Sequence, residues 1–267
     1  MDKWRFIDSG LTCPYYNMGL DRALFEAFLS DKTMPVFRFY RWRNPALSLG
    51  RFQNPKKVLD FNNCRKDNLA VLKRITGGTA IYHWQNELTY SLTCPVASIG
   101  SLSVKESYRK ITSFLVAAYR RLGLEAQYAK DSALAAPFKI GRPADFCFAG
   151  CQEYDILIQG KKIGGNAQKR KKGVIFQHGS IPFKLPKNPG KYLLNKNCGS
   201  KKYLSLSELG VTDFYQFKNI LINSFENNLG VKLISGKINK LEEELAAKYS
   251  KQLMQFFKKN EYTTALA

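Results

Sequence analysis

The chain is short of acid and of histidine. Against 42 lysines and arginines it carries 21 aspartates and glutamates and two histidines, His83 and His178, so the formal net charge over 267 residues is +21. Imidazole acid–base chemistry is therefore confined to those two positions. No apolar run approaches the ~18 residues that a membrane-spanning helix needs. The opening MDKWRFIDSG lacks the apolar core of a signal peptide, and a soluble, cytoplasmic protein is expected. There is no Ser/His/Asp triad motif, P-loop or dinucleotide fingerprint, and no zinc-finger or RNP-like signature. Cysteine is present but scattered, at Cys13, Cys64, Cys94, Cys147, Cys151 and Cys198. Such spacing in a cytosolic chain predicts free thiols rather than a disulfide framework. Cys147 and Cys151 are close, yet no second Cys/His pair completes a zinc site, so no metal is expected.

What the chain does have is an ordinary apolar fraction, 45%, enough for a sizeable core, and two glycine pairs beside basic residues. The first is Lys73-Arg74-Ile75-Thr76-Gly77-Gly78-Thr79-Ala80-Ile81-Tyr82-His83. The second is Gly160-Lys161-Lys162-Ile163-Gly164-Gly165-Asn166-Ala167-Gln168. Each is a strand-like run that breaks into glycine. Glycine pairs let the backbone approach a ligand and expose its N–H groups, and an adjacent cation suits a carboxylate, phosphate or oxyanion. Two such turns with a cysteine between them suggest an acyl-handling site. The basic excess suggests a polyanionic or acidic partner; nucleic acid, an acidic carrier protein and a merely lysine-rich solvated face all fit it.

Strands are expected at residues 4–7, 36–42 (alternating, hence half-buried), 47–50, 69–75, 88–93, 154–158 and 174–176. Helices are expected at 16–29, 103–122 (Ser103 as N-cap, Gly123 as stop), 213–229 and 238–259. Residues 125–142 have little periodicity and read as a loop. Residues 182–203, rich in Lys, Pro, Gly and Asn, read as a mobile connection. No internal repeat or domain boundary is visible, and residues 1–267 read as one domain. Strands alternating with helices support an α/β or α+β fold, with the strands at 69–75 and 154–158 in one sheet.

Of the residues able to do chemistry, Cys147 sits in Asp145-Phe146-Cys147-Phe148, upstream of Lys162. A thiolate is a strong nucleophile for thioesters, and a nearby cation raises the thiolate fraction; the plain alternative is a buried, inert cysteine. Lys162 can bind a carboxylate or polarise an acyl carbonyl, or be mere surface charge, with Lys161 as the internal control. Arg74 is either an anion clamp or a strand-end surface charge. Tyr90 and Tyr154 read as core or pocket-lining.

These segments together resemble the biotin/lipoate protein ligase family. Arg74 to His83 is similar to its R-x-[ST]-G-G-x-A-x-x-H segment, Gly160 to Gln168 to its G-[RK]-K-[IV]-x-G-[SN]-A-Q segment, and Gln177-His178-Gly179-Ser180 to its Q-H-G-[ST] segment. The resemblance spans about residues 1–260 and implies a single catalytic domain of the class II aminoacyl-tRNA synthetase/biotin synthetase-like fold: a central mixed, largely antiparallel sheet flanked by helices, with no separate C-terminal accessory domain. Within the family, Cys147-Phe148, Tyr154-Asp155 and Gly160-Lys161-Lys162 resemble the cysteine-dependent octanoyltransferases of lipoate assembly. That likeness implies octanoyl transfer from acyl carrier protein to a lysine of a lipoyl domain, belonging to a 2-oxoacid dehydrogenase or to the glycine cleavage H protein, without a cofactor. It makes Cys147 the nucleophile and Lys162 the cation that stabilises its thiolate. Gly77, Gly78, Gly164 and Gly165 would line the acyl tunnel, with Thr79, Ala80, Ile81, Tyr82, His83, Asn166, Ala167 and His178 as further substrate contacts. The segment His83 to Leu88 has the length found in ATP-dependent lipoate ligases, and Trp84 stands where both groups carry aspartate. A ligase would use ATP and Mg²⁺, with ATP held by Arg74 and Thr79 to Tyr82 and the lipoate carboxylate and phosphate held by Lys162. A third expectation is a non-catalytic carrier- or nucleic-acid-binding member. No membrane partner is expected.

Overall fold

The computed structural model describes residues 1–31, 34–135, 151–195 and 202–262. The chain opens with strand β1 (Asp2–Thr12), helix α1 (Pro14–Ser30) and strand β2 (Val36–Trp42). β1 and β2 pair in parallel, Arg5 opposite Val36. A parallel pair requires a crossover, and α1 is that crossover. Strand β3 (Ala46–Leu49) follows, then two short helices, α2 (Pro55–Val58) and α3 (Phe61–Lys66), and strands β4 (Ala70–Lys73), β5 (Ile81–His83) and β6 (Glu87–Pro95). Helix α4 (Val104–Arg121) starts at Ser103, whose hydroxyl accepts from the Glu106 N–H while Glu106 reciprocates, a complete capping box. Beyond it lie β7 (Gln127–Tyr128), β8 (Ile156–Ile158), β9 (Lys161–Lys162), β10 (Gly165–Lys171) and β11 (Val174–Pro182). Helix α5 (Phe214–Leu229), strand β12 (Val231–Ser235) and helix α6 (Lys240–Tyr262) complete the described chain.

Six strands form the main sheet in the order β10-β11-β6-β2-β1-β12. Its first three pairings are antiparallel and its last two parallel. On one face α4 and α5 cover Trp4, Phe37, Phe39, Tyr90, Leu92 and Ile175. The Phe37 ring stacks on Phe225 at 3.8 Å and meets Phe114 edge-on at 5.7 Å. On the other face α1 and α6 pack on Ile7 and Val36, and Gly19 of α1 meets α6 so closely that a Cβ there would stand 2.4 Å from the Ser250 hydroxyl. The fold is therefore α+β, a mixed sheet flanked by helices. Among the described residues no helix is long and apolar enough to cross a membrane.

Several expectations need correction. β2 is not half-buried: helices cover both faces of the sheet, so Arg38 and Tyr40 are as buried as Phe37 and Phe39. The strands at 69–75 and 154–158 do not share a sheet. β4 belongs to a three-stranded sheet, β4-β3-β5, and β8 to another, β7-β8-β9. The first glycine turn joins β4 to β5 within one small sheet, whereas the second carries the chain from β9 of the other small sheet into β10 of the main sheet. The region expected as a loop contains β7, paired with β8. The stretch read as mobile is anchored where it is described, with Tyr192 and Leu193 buried against β3 to β5. β5, β12 and most of β10 had no clear signal.

Candidate active site

Arg74 is neither a surface charge nor an open clamp. It is buried, and its guanidinium is spread over the loop that follows it. Nε donates to Thr76 Oγ1 (3.1 Å), Nη1 to the Ser48 carbonyl (3.0 Å), and Nη2 to the carbonyls of Gly77 and Thr79 (both 2.8 Å). These bonds fasten the loop by its carbonyls. Among the described residues the N–H groups of Gly77, Gly78 and Thr79 donate to no protein acceptor. Free amides in succession form a concavity suited to an anion or an oxyanion. Gly50 packs against the loop, and a Cβ on it would fall 1.8 Å from the Gly78 carbonyl oxygen.

The loop is tied to the main sheet through His178. Thr76 Oγ1 lies 2.8 Å from His178 Nε2, and His178 Nδ1 lies 3.6 Å from Asp21 Oδ2. Burial lowers the His178 pKa, against an upward pull from Asp21, so the ring is neutral at pH 7. Burial alone would raise the Asp21 pKa. The neighbouring His178 ring, the Arg38 charge and the Ser91 hydroxyl outweigh it and hold the carboxyl below its ordinary range. Arg38 Nη1 donates to Asp21 Oδ1 at 2.8 Å, and Ser91 (2.7 Å) and Tyr40 (2.8 Å) also donate to this carboxylate.

The second glycine turn abuts the same strand. Gly165 pairs with Ser180 and Ala167 with His178. Gly164 has φ +81°, and a Cβ there would stand 2.2 Å from the Ser180 carbonyl oxygen. Asn166 Oδ1 accepts from the Tyr90 hydroxyl at 2.7 Å, and Gln177 in turn donates to that hydroxyl at 3.0 Å. Both turns therefore border His178 and its neighbours on β11.

Lys161 and Lys162 behave as opposites. Lys161 is exposed, whereas Lys162 is 3% exposed and its ammonium lies 2.7 Å from Asp155 Oδ2. Strand alternation sends one lysine to solvent and the next inward. Cys147, the expected nucleophile, lies outside the described residues, as does Cys198. Of the described cysteines, Cys13, Cys64 and Cys94 are free thiols, and among the described residues no group of three or more His/Cys/Asp/Glu could hold a metal.

Other expected contacts are directed elsewhere. His83 uses both ring nitrogens inside the protein, Nε2 with Ser48 Oγ (2.7 Å) and Nδ1 with Glu87 Oε1 (2.9 Å), and stacks on Trp42 at 3.9 Å. Tyr82 stacks on Tyr192 at 5.6 Å, with its pKa pushed up to about 12, mainly by burial. Ala80 and Ile81 are buried in the same small core. Trp84 donates to the Lys184 carbonyl at 3.2 Å. Asp155 and Thr76 entered the sequence expectations only as members of family-like segments, without a role of their own, and Ser48 and Asp21 carried no site expectation. The only local sequence signal for the Asp155 partnership is the glycine of Gln159-Gly160; in the fold both residues take positive φ, 51° and 70°, the pattern of a two-residue hairpin turn, which brings Asp155 and Lys162 to one face.

The sequence pattern of the lipoyl protein ligase A/B catalytic domain matches residues 13–228. The chain is 37% identical over 246 residues to octanoyltransferase LipM of Anoxybacillus flavithermus, covering 86% of this chain and 87% of that one. It is 35% identical over 274 residues to octanoyltransferase LipM of Geobacillus kaustophilus, covering 95% and 98%. The fold matches a crystal structure of lipoate-protein ligase A bound with ATP, with a TM-score of 0.80 over 96% of each chain at 20% identity. With both glycine turns, the buried lysine and the His178 strand inside the matched region, the chain belongs to the lipoyl protein ligase A/B catalytic-domain family.

Proposed function

We propose that this chain is an acyltransferase of protein lipoylation, an octanoyltransferase that moves an octanoyl group from acyl carrier protein to a lysine of a lipoyl domain. The observation that carries this reading is the near full-length likeness to proteins named octanoyltransferase LipM. The geometry supports it. A buried ammonium at Lys162 and free amides at Gly77, Gly78 and Thr79 are groups that stabilise the anionic states of acyl transfer.

In the first half-reaction the Cys147 thiolate attacks the carbonyl carbon of the octanoyl thioester. A new S–C bond forms, the carrier's thiolate leaves, and it takes up the proton that Cys147 gave up. In the second, the neutral amine of a lipoyl-domain lysine attacks the acyl-enzyme. The C–N bond forms, the bond to Cys147 breaks, and the proton lost by the amine balances the released thiolate. Lys162 favours the thiolate, and loop amides receive the oxyanion. Lipoyl domains of 2-oxoacid dehydrogenases and the glycine cleavage H protein are the acceptors in this reading, and no cofactor takes part. The test is transfer to a purified lipoyl domain from octanoyl carrier protein without nucleotide or Mg²⁺. Octanoylation under these conditions is expected. No octanoylation there, with modification only when free lipoate, ATP and Mg²⁺ are supplied, would make the protein a ligase instead.

A further inference from the structure

Asp155 has a place in the fold that a surface carboxylate would not need. The β8–β9 hairpin pairs Leu157 with Lys162. Strand alternation then puts Ile156, Ile158 and Ile163 into the main core and Leu157 on the opposite face, in a small cluster with Ala129 and Cys151. Asp155 and Lys162 are diagonal neighbours across this hairpin. Both side chains are only 4% exposed, and Nζ meets Oδ2 at 2.7 Å. The same Oδ2 accepts the Gln152 N–H at 2.8 Å, so the carboxylate is held in a fixed orientation by its own turn. The backbone of Asp155 is fastened as well: its carbonyl accepts from the Ala129 N–H at 2.8 Å and its N–H donates to the Gln152 carbonyl at 3.0 Å. On the lysine side, the Lys162 carbonyl accepts from the Leu204 N–H at 2.9 Å, and Ile163 donates to the Ile156 carbonyl at 3.0 Å.

A lysine has four rotatable side-chain bonds and a strongly hydrated head. Burying that head requires a counter-charge, and placing it to within a fraction of an ångström requires a partner that is itself fixed. We infer that Asp155 is the positioning residue of the acyl-transfer reaction: its carboxylate, itself fixed by the Gln152 N–H, holds the Lys162 ammonium in place and aims it. This deepens the octanoyltransferase reading and rests on it. In this role Asp155 does not touch the acyl group; it acts through the lysine.

A double-mutant cycle tests the assignment, using Asp155→Asn, Lys162→Gln and the double variant. The readout is the single-turnover rate of acyl adduct formation from octanoyl carrier protein, followed by intact mass. If the two residues act as one unit their effects do not add. Each single variant is expected to slow adduct formation by about tenfold or more, as a misplaced group does. The double variant should be no slower than Lys162→Gln alone, and KM for the carrier should stay the same while kcat falls. Asp155→Asn at the wild-type rate, beside a slow Lys162→Gln, would overturn the inference, as would effects that multiply. Should Asp155→Asn fail to fold, Asp155→Glu takes its place, because it keeps the charge and displaces the carboxylate by one methylene. A tenfold loss with native circular dichroism supports positioning, and an unchanged rate refutes it. If the wild type itself forms no adduct, the transferase reading has failed rather than this one, and the same cycle is read on ATP-dependent lipoate ligation.

Discussion

Thr76 Oγ1 lies 2.8 Å from His178 Nε2, and this bond joins the first glycine turn to the strand that borders the second. Thr76 also accepts from Arg74, and Arg74 reaches Ser48, which bonds His83. One buried polar chain thus runs from Asp21 through both histidines to Glu87. Its members fix the backbone of the candidate site.

Arg74 is the centre of that chain. Arg74→Lys retains the charge but cannot span Ser48, Gly77 and Thr79 with one head group. It should cost at least ~2 kcal/mol, since buried carbonyls lose a charged donor. Urea unfolding measures this, and the acyl-transfer rate should fall with it.

The glycines should separate by position. Gly50→Ala and Gly164→Ala place a Cβ 1.8 and 2.2 Å from backbone oxygens and should each destabilise by ~1–3 kcal/mol or more. At Gly77 the nearest atoms to an added Cβ stand at 3.9 Å, so Gly77→Ala should stay within ~0.5 kcal/mol of wild type. Thermal melts of the three variants check this contrast.

The basic run at Lys169 to Lys172 is not uniform. Arg170 donates to the carbonyls of Leu102 and Ser103 and holds the start of α4, so Arg170→Glu should unfold the protein at lower denaturant. Lys169 and Lys171 project toward α1, over the Phe25 ring at 5.3 Å and beside Glu26 at 3.6 Å. Reversing these two to glutamate should slow carrier-dependent transfer at low salt, with a defect that shrinks as salt rises, because steering is screened beyond ~8 Å at physiological ionic strength. Initial rates across a salt series decide this. Equal rates at low salt would make these lysines plain solvated surface.

His178 gives a pH signature. Burial lowers its pKa below the ordinary 6.5, so in the window below 6.5 the unfolded chain binds a proton that the folded chain does not. Its contribution is intact above that window and is lost as pH falls through it toward the folded-state value. Asp21, also lowered, adds a further loss only below its ordinary 3.8. Between pH 7.5 and 5.5 the wild type should therefore lose more unfolding free energy than His178→Gln, as measured by urea titration at both pH values.

Much of this was legible in the sequence, and the reasons differ by element. The helix after Ser103 carried its own capping box, and the helix ending at Leu229 had its N-cap at Asp213; both signals are local. The sequence left Lys162 open between anion binding and surface charge, with Lys161 as the control, and the burial of one beside the exposure of the other is visible only in the fold. The environment of Arg38 was not legible either, because alternation reports one buried face and cannot show that helices cover both. Arg74 was read as a choice between clamp and surface charge because its acceptors are loop carbonyls, which leave no mark in composition. Asp155 lay in plain view beside Tyr154, but its partnership with Lys162 depends on the register of a hairpin whose turn, Gln159-Gly160, is a weak signal. Cys147 lies outside the described residues, so its role rests on the family resemblance and on chemistry.

The most direct test of the account is therefore the acyl-enzyme itself. After incubation with octanoyl carrier protein and no acceptor, intact mass should show one octanoyl group on the wild type. That group should be absent from Cys147→Ala and retained by Cys151→Ala, whose thiol is buried. A Cys147→Ala protein that still carries the octanoyl group, or still modifies a lipoyl domain at the wild-type rate, would contradict the account.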